Sequence, residues 1–135
     1  MPHKAQTIVC SICSREKNKD QKPLPARERY VGSHIKLVES IALEQGVQFF
    51  ILSGKFGLLH AQERVWFYDF LLTEDGVKFL AARVFRQIVR LPFVVGEIQF
   101  YTKNKPNWLP YKKVIEQAAA KTNTNLRVVY LLPDA

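Results

Sequence analysis

Four polar stretches of this chain hold residues able to bind or react. Cys13-Ser14-Arg15-Glu16-Lys17 offers a thiol and a hydroxyl close to an ammonium. Such a charge lowers a thiol pKa or holds an anion. Pro25-Ala26-Arg27-Glu28-Arg29-Tyr30 leads into Val31-Gly32-Ser33-His34, with two cations near an expected helix start. Cations there oppose the helix dipole, and an anionic ligand at that terminus is one reason to place them. Leu52-Ser53-Gly54-Lys55-Phe56-Gly57 sets small residues beside a lysine, which suits close backbone approach to a ligand. It lacks the spacing of a P-loop, and a tight strand exit would use the same residues. Trp66-Phe67-Tyr68-Asp69 places aromatics next to a carboxylate. That pair suits a flat heterocycle, the ring stacking while the carboxylate accepts from ring N–H groups. It equally describes a loop pinned to the core by its aromatics.

These stretches gain meaning from what precedes them. Apolar, strand-like runs cover 6–13, 47–52, 96–101 and 126–132, and helical periodicity covers 27–45, 74–91 and 109–122. The order is β-α-β-α-β-α-β, which predicts a single α/β domain over 1–135. It is expected to be a three-layer, Rossmann-like domain with a mostly parallel four-stranded sheet. The segments at 13–17, 53–57, 101–105 and 133–134 each follow a strand. In a parallel sheet they share one rim, where open α/β folds bind ligands. The connection 53–71 is long and rich in aromatics, which marks it as functional, packed over something, or an interface.

Composition narrows the classes. With 47% hydrophobic residues in 135, the chain builds one substantial core and is not disordered. No apolar run approaches the roughly 20 residues of a membrane span, and nothing resembles a secretory signal, so a cytoplasmic protein is expected. Cys10 and Cys13 form Cys-x-x-Cys, but within a strand their side chains point to opposite faces. A zinc site would need further ligands, and His3, His34 and His60 are scattered. Cys10 reads as a small buried apolar residue, and neither metal nor cofactor is expected. The net charge of +8 suits either a plain basic surface or an anionic partner such as nucleic acid or a nucleotide.

The order Cys13-Ser14-x-x-Lys17, Pro25-Ala26-Arg27, Tyr30-x-x-Ser33, Ile51-Leu52-Ser53-Gly54-Lys55-Phe56-Gly57-Leu58-Leu59 and Tyr68-Asp69 resembles a known pattern. It is similar to a small bacterial and phage α/β family of unassigned function related to the peroxide stress protein YaaA. Cys-Ser-x-x-Lys with a later Tyr-x-x-Ser also resembles the core-domain motif of archaeosine synthase. The likeness covers roughly residues 8–72. It implies a pocket for a nucleobase or nucleic acid, with Cys13, Ser14, Lys17, Tyr30, Ser33, Ser53, Lys55 and Asp69 at matching positions. The chain departs from archaeosine synthase in having no Pro-Tyr directly after Lys17, and from the family in having Phe67 where proline precedes Tyr-Asp.

The resulting expectation is a nucleobase- or nucleotide-directed enzyme that modifies or exchanges the base or cleaves its N-glycosidic bond. Cys13, Lys17 and Asp69 are the candidates for chemistry. Ser14, Arg27, Tyr30, Ser33, Ser53, Gly54, Lys55 and Tyr68 are candidates for holding the ligand. Lys103 and Lys105 are candidates for contacting backbone phosphates. The competing expectation is a non-catalytic DNA- or RNA-binding protein. No membrane partner is expected, and self-association is left open.

Overall fold

A computed structural model describes residues 4–135; His3 lies outside the described residues. The chain runs β1 (Gln6–Ile12), β2 (Leu24–Pro25), α1 (Ala26–Arg29), α2 (Ser33–Gln45), β3 (Gln48–Ser53), β4 (Gly57–His60) and β5 (Arg64–Val65). It continues through α3 (Val77–Val89), β6 (Val95–Thr102), α4 (Leu109–Lys121) and β7 (Asn125–Tyr130), with single 3-10 turns at Glu74–Gly76 and Pro106–Trp108.

The main sheet has the order β4-β3-β1-β6-β7. β1 pairs in parallel with β3 and β6, and β6 with β7, while β4 is antiparallel to β3. The α/β class and the parallel arrangement of the four expected strands are therefore present. The sheet has five strands rather than four, and it is mixed. β2 and β5 form a separate antiparallel pair.

Alternation along β1 builds two cores, one on each sheet face. Ile8, Cys10 and Ile12 pack with Leu80, Val84, Val114 and Ile115 of α3 and α4. Val9 packs with Ile35, Val38 and Ala42 of α2. So α2 covers one face and α3 with α4 cover the other. The first crossover steps from β1 to β3, and the next returns across β1 to β6. The reversal lies between the carboxyl ends of β1 and β6, the topological switch point at which open sheets form a crevice.

The expected helix over 27–45 is two helices. Asn18 N–H donates to Arg29 O at 2.8 Å and Val31 N–H to Glu16 O at 3.1 Å. This pairing draws Tyr30 into extended backbone and breaks the helix. α2 then ends where Gly46 takes a left-handed conformation at φ 68°. β4 was hidden inside the long aromatic connection. It follows a tight turn from Ser53 to Gly57, whose φ is +81°. Gln87 of α3 holds that turn, accepting from Leu58 N–H at 2.7 Å and donating to Phe56 O at 3.0 Å. Among the described residues no helix is long and apolar enough to cross a membrane.

Candidate functional site

A cleft of about 820 Å³ opens at the switch point. Its floor is the exit of β1, from Ile12 through Lys17. One wall is the start of α2, with Gly32, Ser33 and His34; the facing wall runs from Lys103 after β6 to Trp108. Asp69, Phe70 and Leu71 of the connection after β5 reach its rim.

The floor is tied to α2 by one hydroxyl. Ser14 Oγ accepts from Gly32 N–H at 3.1 Å and donates to Glu16 O. Gly32 is needed for this closeness, since a Cβ there would sit 2.7 Å from Ser14 Cβ. The first turn of α2 has neither a side-chain cap nor an acidic residue. Ile35 N–H donates to Gly32 O at 3.0 Å, but Ser33 and His34 N–H have no partner among the described residues and leave partial positive charge at the cleft wall.

Four cations line the same space, Arg15, Lys17, Lys103 and Lys105, against two carboxylates, Glu16 and Asp69. None of the four forms an ion pair among the described residues. Lys103 is only 8% exposed, and its Nζ donates to Pro133 O at 3.0 Å and Ala135 O at 2.6 Å. Burial, with Lys105 nearby, lowers its pKa. Lys17 Nζ lies 4.8 Å from the Tyr68 ring centre. Thus the segments after β1, β6 and β7 converge as the parallel order predicts.

The segment after β3 sits behind this cleft rather than in it. Ser53 is fully buried, and its Oγ accepts from Lys55 N–H at 3.2 Å and Phe56 N–H at 3.0 Å. The same oxygen meets Tyr68 OH at 2.9 Å, and Tyr68 OH meets Tyr30 OH at 2.5 Å. Burial raises both phenols, that of Tyr68 to about 12, so this hydroxyl chain stays protonated at neutral pH. Gly54 is also buried, and it leaves room for Tyr111, whose OH would lie 2.8 Å from an added Cβ. Ser53 and Gly54 shape a turn and do not line the cleft. Lys55 is exposed, with Nζ 5.5 Å from the rings of both Phe56 and Tyr68.

The two arginines do not face the cleft. Arg27 is paired with Glu39, which raises its pKa, and this pairing replaces the expected anionic ligand. Arg29 is fully buried and donates to the carbonyls of Val65, Asn18, Asp20 and Lys22. Of the expected site residues, the cleft brings together Cys13, Ser14, Lys17, Ser33, Asp69, Lys103 and Lys105. Arg27, Tyr30, Ser53, Gly54, Lys55 and Tyr68 lie outside its lining.

Cys13 differs from expectation in its chemistry. Burial pushes its thiol up, outweighing the downward pulls of Gly54, Tyr111 and Lys17. Lys17 does not make it a thiolate at neutral pH. Cys10 is fully buried in the core. Among the described residues no group of His, Cys, Asp and Glu is arranged to hold a metal ion.

Trp108 and Tyr111 line the cleft without having been expected there, and His34 joins them from the stretch that leads into α2. The break before Ser33 is what brings His34 to the wall, and that break depends on the distant 16–18 segment. Trp108 and Tyr111 enter because the turn before α4 directly follows β6, a signal that strand-to-helix order alone contains. His34 Nε2 lies 2.8 Å from Ile12 O, and its ring centre lies 4.8 Å from that of Trp108.

Burial lowers the His34 pKa below its ordinary 6.5, and the charge of Lys103 acts the same way. As pH falls through 6.5 the unfolded chain binds a proton that the folded chain still refuses. His34 therefore costs stability progressively below that point, until the folded-state pKa is passed. The slope approaches about 1.4 kcal/mol per pH unit for one group. Denaturant titrations at about pH 7.5 and about pH 5 should show a larger acid loss for the native protein than for His34→Gln.

A family model described as "Family of unknown function (DUF6884)" matches residues 9–126. No curated protein and no solved structure matches the chain. The chain belongs to that family.

Proposed function

We propose that this family member binds a nucleotide in the switch-point cleft and acts on its base or its glycosidic bond. The observation that carries this reading is the start of α2, where Ser33 and His34 N–H have no partner among the described residues, beside Arg15, Lys17 and Lys105, which form no ion pair among them. Helix N–H groups and lysines together make a phosphate site. The rim supplies what a heterocycle needs. Phe70 is 48% exposed beside Leu71 and offers an apolar face. Asp69 is exposed on the cleft rim, accepts no hydrogen bond among the described residues, and offers an acceptor for ring N–H groups. The motif likeness to the YaaA-related family and to the archaeosine synthase core supports the same ligand class.

In this reading Asp69 is the acid or base, and Lys17 holds developing negative charge. Cys13 contacts the ligand as a neutral thiol. Calorimetry with nucleoside monophosphates, followed by chromatography for released or altered base, tests the proposal. Asp69→Asn should reduce turnover by about 100-fold or more while changing affinity little. Absence of saturable nucleotide binding, or full turnover in Asp69→Asn, would contradict it.

The net charge of +8 and a Trp66 that is 64% exposed favour a second reading, a non-catalytic nucleic-acid binder. That protein would bind polynucleotides with steep salt dependence and form no product.

A further inference from the structure

We infer that the nucleotide held in the cleft is one unit of a single-stranded polynucleotide, and that Lys55 and α3 form the track for the rest of the strand. This rests on the nucleotide reading and names its substrate class.

α3 carries cations without counterweight. Lys78, Arg83 and Arg86 lie within it, Arg90 follows at its end, and it has no Asp or Glu. Phe79, Arg83, Arg86 and Arg90 recur at helical spacing and fall on one stripe. Arg86 and Arg90 are exposed, Arg83 is half-buried, and Phe79 is 70% exposed. Like charges one turn apart repel and weaken a helix. The other long helices offset theirs. Lys112 and Lys113 of α4 meet Glu116 and Glu74, and Glu39 of α2 meets Arg27. Arg83, Arg86 and Arg90 form no ion pair among the described residues. A stripe that keeps this repulsion complements an anionic partner outside the protein.

The stripe is joined to the cleft. Lys17 on the cleft floor and the exposed Lys55 approach the same ring, with Nζ atoms 4.8 Å and 5.5 Å from the centre of Tyr68. Arg83 Nη1 in turn donates to Lys55 O at 3.1 Å. Lys17, Lys55, Arg83, Arg86 and Arg90 thus follow one another outward from the cleft. From Arg83 to Arg90 the helix adds about 10 Å.

Cations in a line suit a ligand whose negative charges repeat in a line. A mononucleotide places its charge in the cleft alone. An acidic peptide repeats its charge but brings no flat rings. A polynucleotide brings both, and Phe79 among the cations offers a ring on which a base stacks. The strand must be unpaired where it meets the cleft, because a nucleotide enters such a site only outside the duplex.

The test is calorimetry on the full chain with the four nucleoside monophosphates and with mixed-sequence single strands, in deoxy and ribo forms. Affinity should rise at least about tenfold between one nucleotide and about eight, a length that one basic groove covers. Arg86→Gln with Arg90→Gln should weaken the oligonucleotide about tenfold and leave the monophosphates unchanged. It should also flatten log K against log salt by about 1.4, two contacts at about 0.7 each. Lys4→Gln with Lys121→Gln removes equal charge at exposed positions off the stripe and should do neither. Phe79→Ala should weaken the oligonucleotide about tenfold. Polyglutamate of matching charge should bind more weakly than the oligonucleotide and be indifferent to Phe79→Ala. Three results would overturn the inference while monophosphate binding still stands: equal affinity for monomer and oligomer, full oligonucleotide affinity in the α3 variant, or polyglutamate binding as tight as the oligonucleotide's. If none of the monophosphates binds, the nucleotide reading itself falls and takes this inference with it.

Discussion

Arg29→Met should lower unfolding free energy by about 3–5 kcal/mol, the range for losing one partner of a buried charged network. The guanidinium is fully buried, and four backbone carbonyls surround it. Three of those belong to the 18–22 loop, at Asn18, Asp20 and Lys22. Methionine keeps much of the volume and satisfies none of them. The effect should extend to the cleft, because Asn18 N–H also donates to Arg29 O and Glu16 O accepts from Val31 N–H. Loosening this clamp frees Arg15, Glu16 and Lys17 from their places on the cleft floor. Chemical denaturation should show a lower midpoint. Calorimetry below the transition should show weaker nucleotide binding. Arg29→Lys should recover only part of the loss, since an ammonium cannot span a fork of carbonyls.

The joint variant Lys17→Glu with Lys105→Glu should weaken nucleoside monophosphate binding by about 100-fold or more. Two unit charges about 4 Å apart interact by about 1 kcal/mol in water and about 4 kcal/mol near a protein surface. Each reversal replaces an attraction with a repulsion. Lys105 is exposed and so is more screened, while Lys17 is partly buried and contributes more. Arg90→Glu with Lys121→Glu is the control. Both positions are exposed and lie at the carboxyl ends of α3 and α4, away from the cleft lining. It changes net charge equally and should leave affinity nearly unchanged. Added salt should narrow the gap between native protein and the cleft variant.

Local pattern was enough to read the frame of this site. Alternation in β1 and the apolar run of β3 identify strands, and the β-α order makes them parallel. From that alone Cys13, Lys17 and Lys103 fall on one rim. What local pattern could not supply were contacts between distant segments. The helical period of 27–45 is continuous, yet residues 16–18 pair with 29–31 and break it at Tyr30. Only that break moves His34 to the cleft and turns Arg29 inward. The Ser53-Gly54-Lys55 stretch shows the opposite case. Its small residues do mark close backbone approach, but Tyr111 and Gln87 fill the space, and the turn they enclose leads into β4. Lys17 beside Cys13 suggested an activated thiol because spacing reports charge and says nothing of burial.

The most direct test of the phosphate site is a backbone-amide titration by NMR with inorganic phosphate and then a nucleoside monophosphate. Saturable shifts should concentrate at Ser33 and His34 at the start of α2, with smaller ones at Lys17 and Lys105. Shifts confined to the Trp66–Phe67 loop, or none that saturate at the α2 amides, would contradict the account.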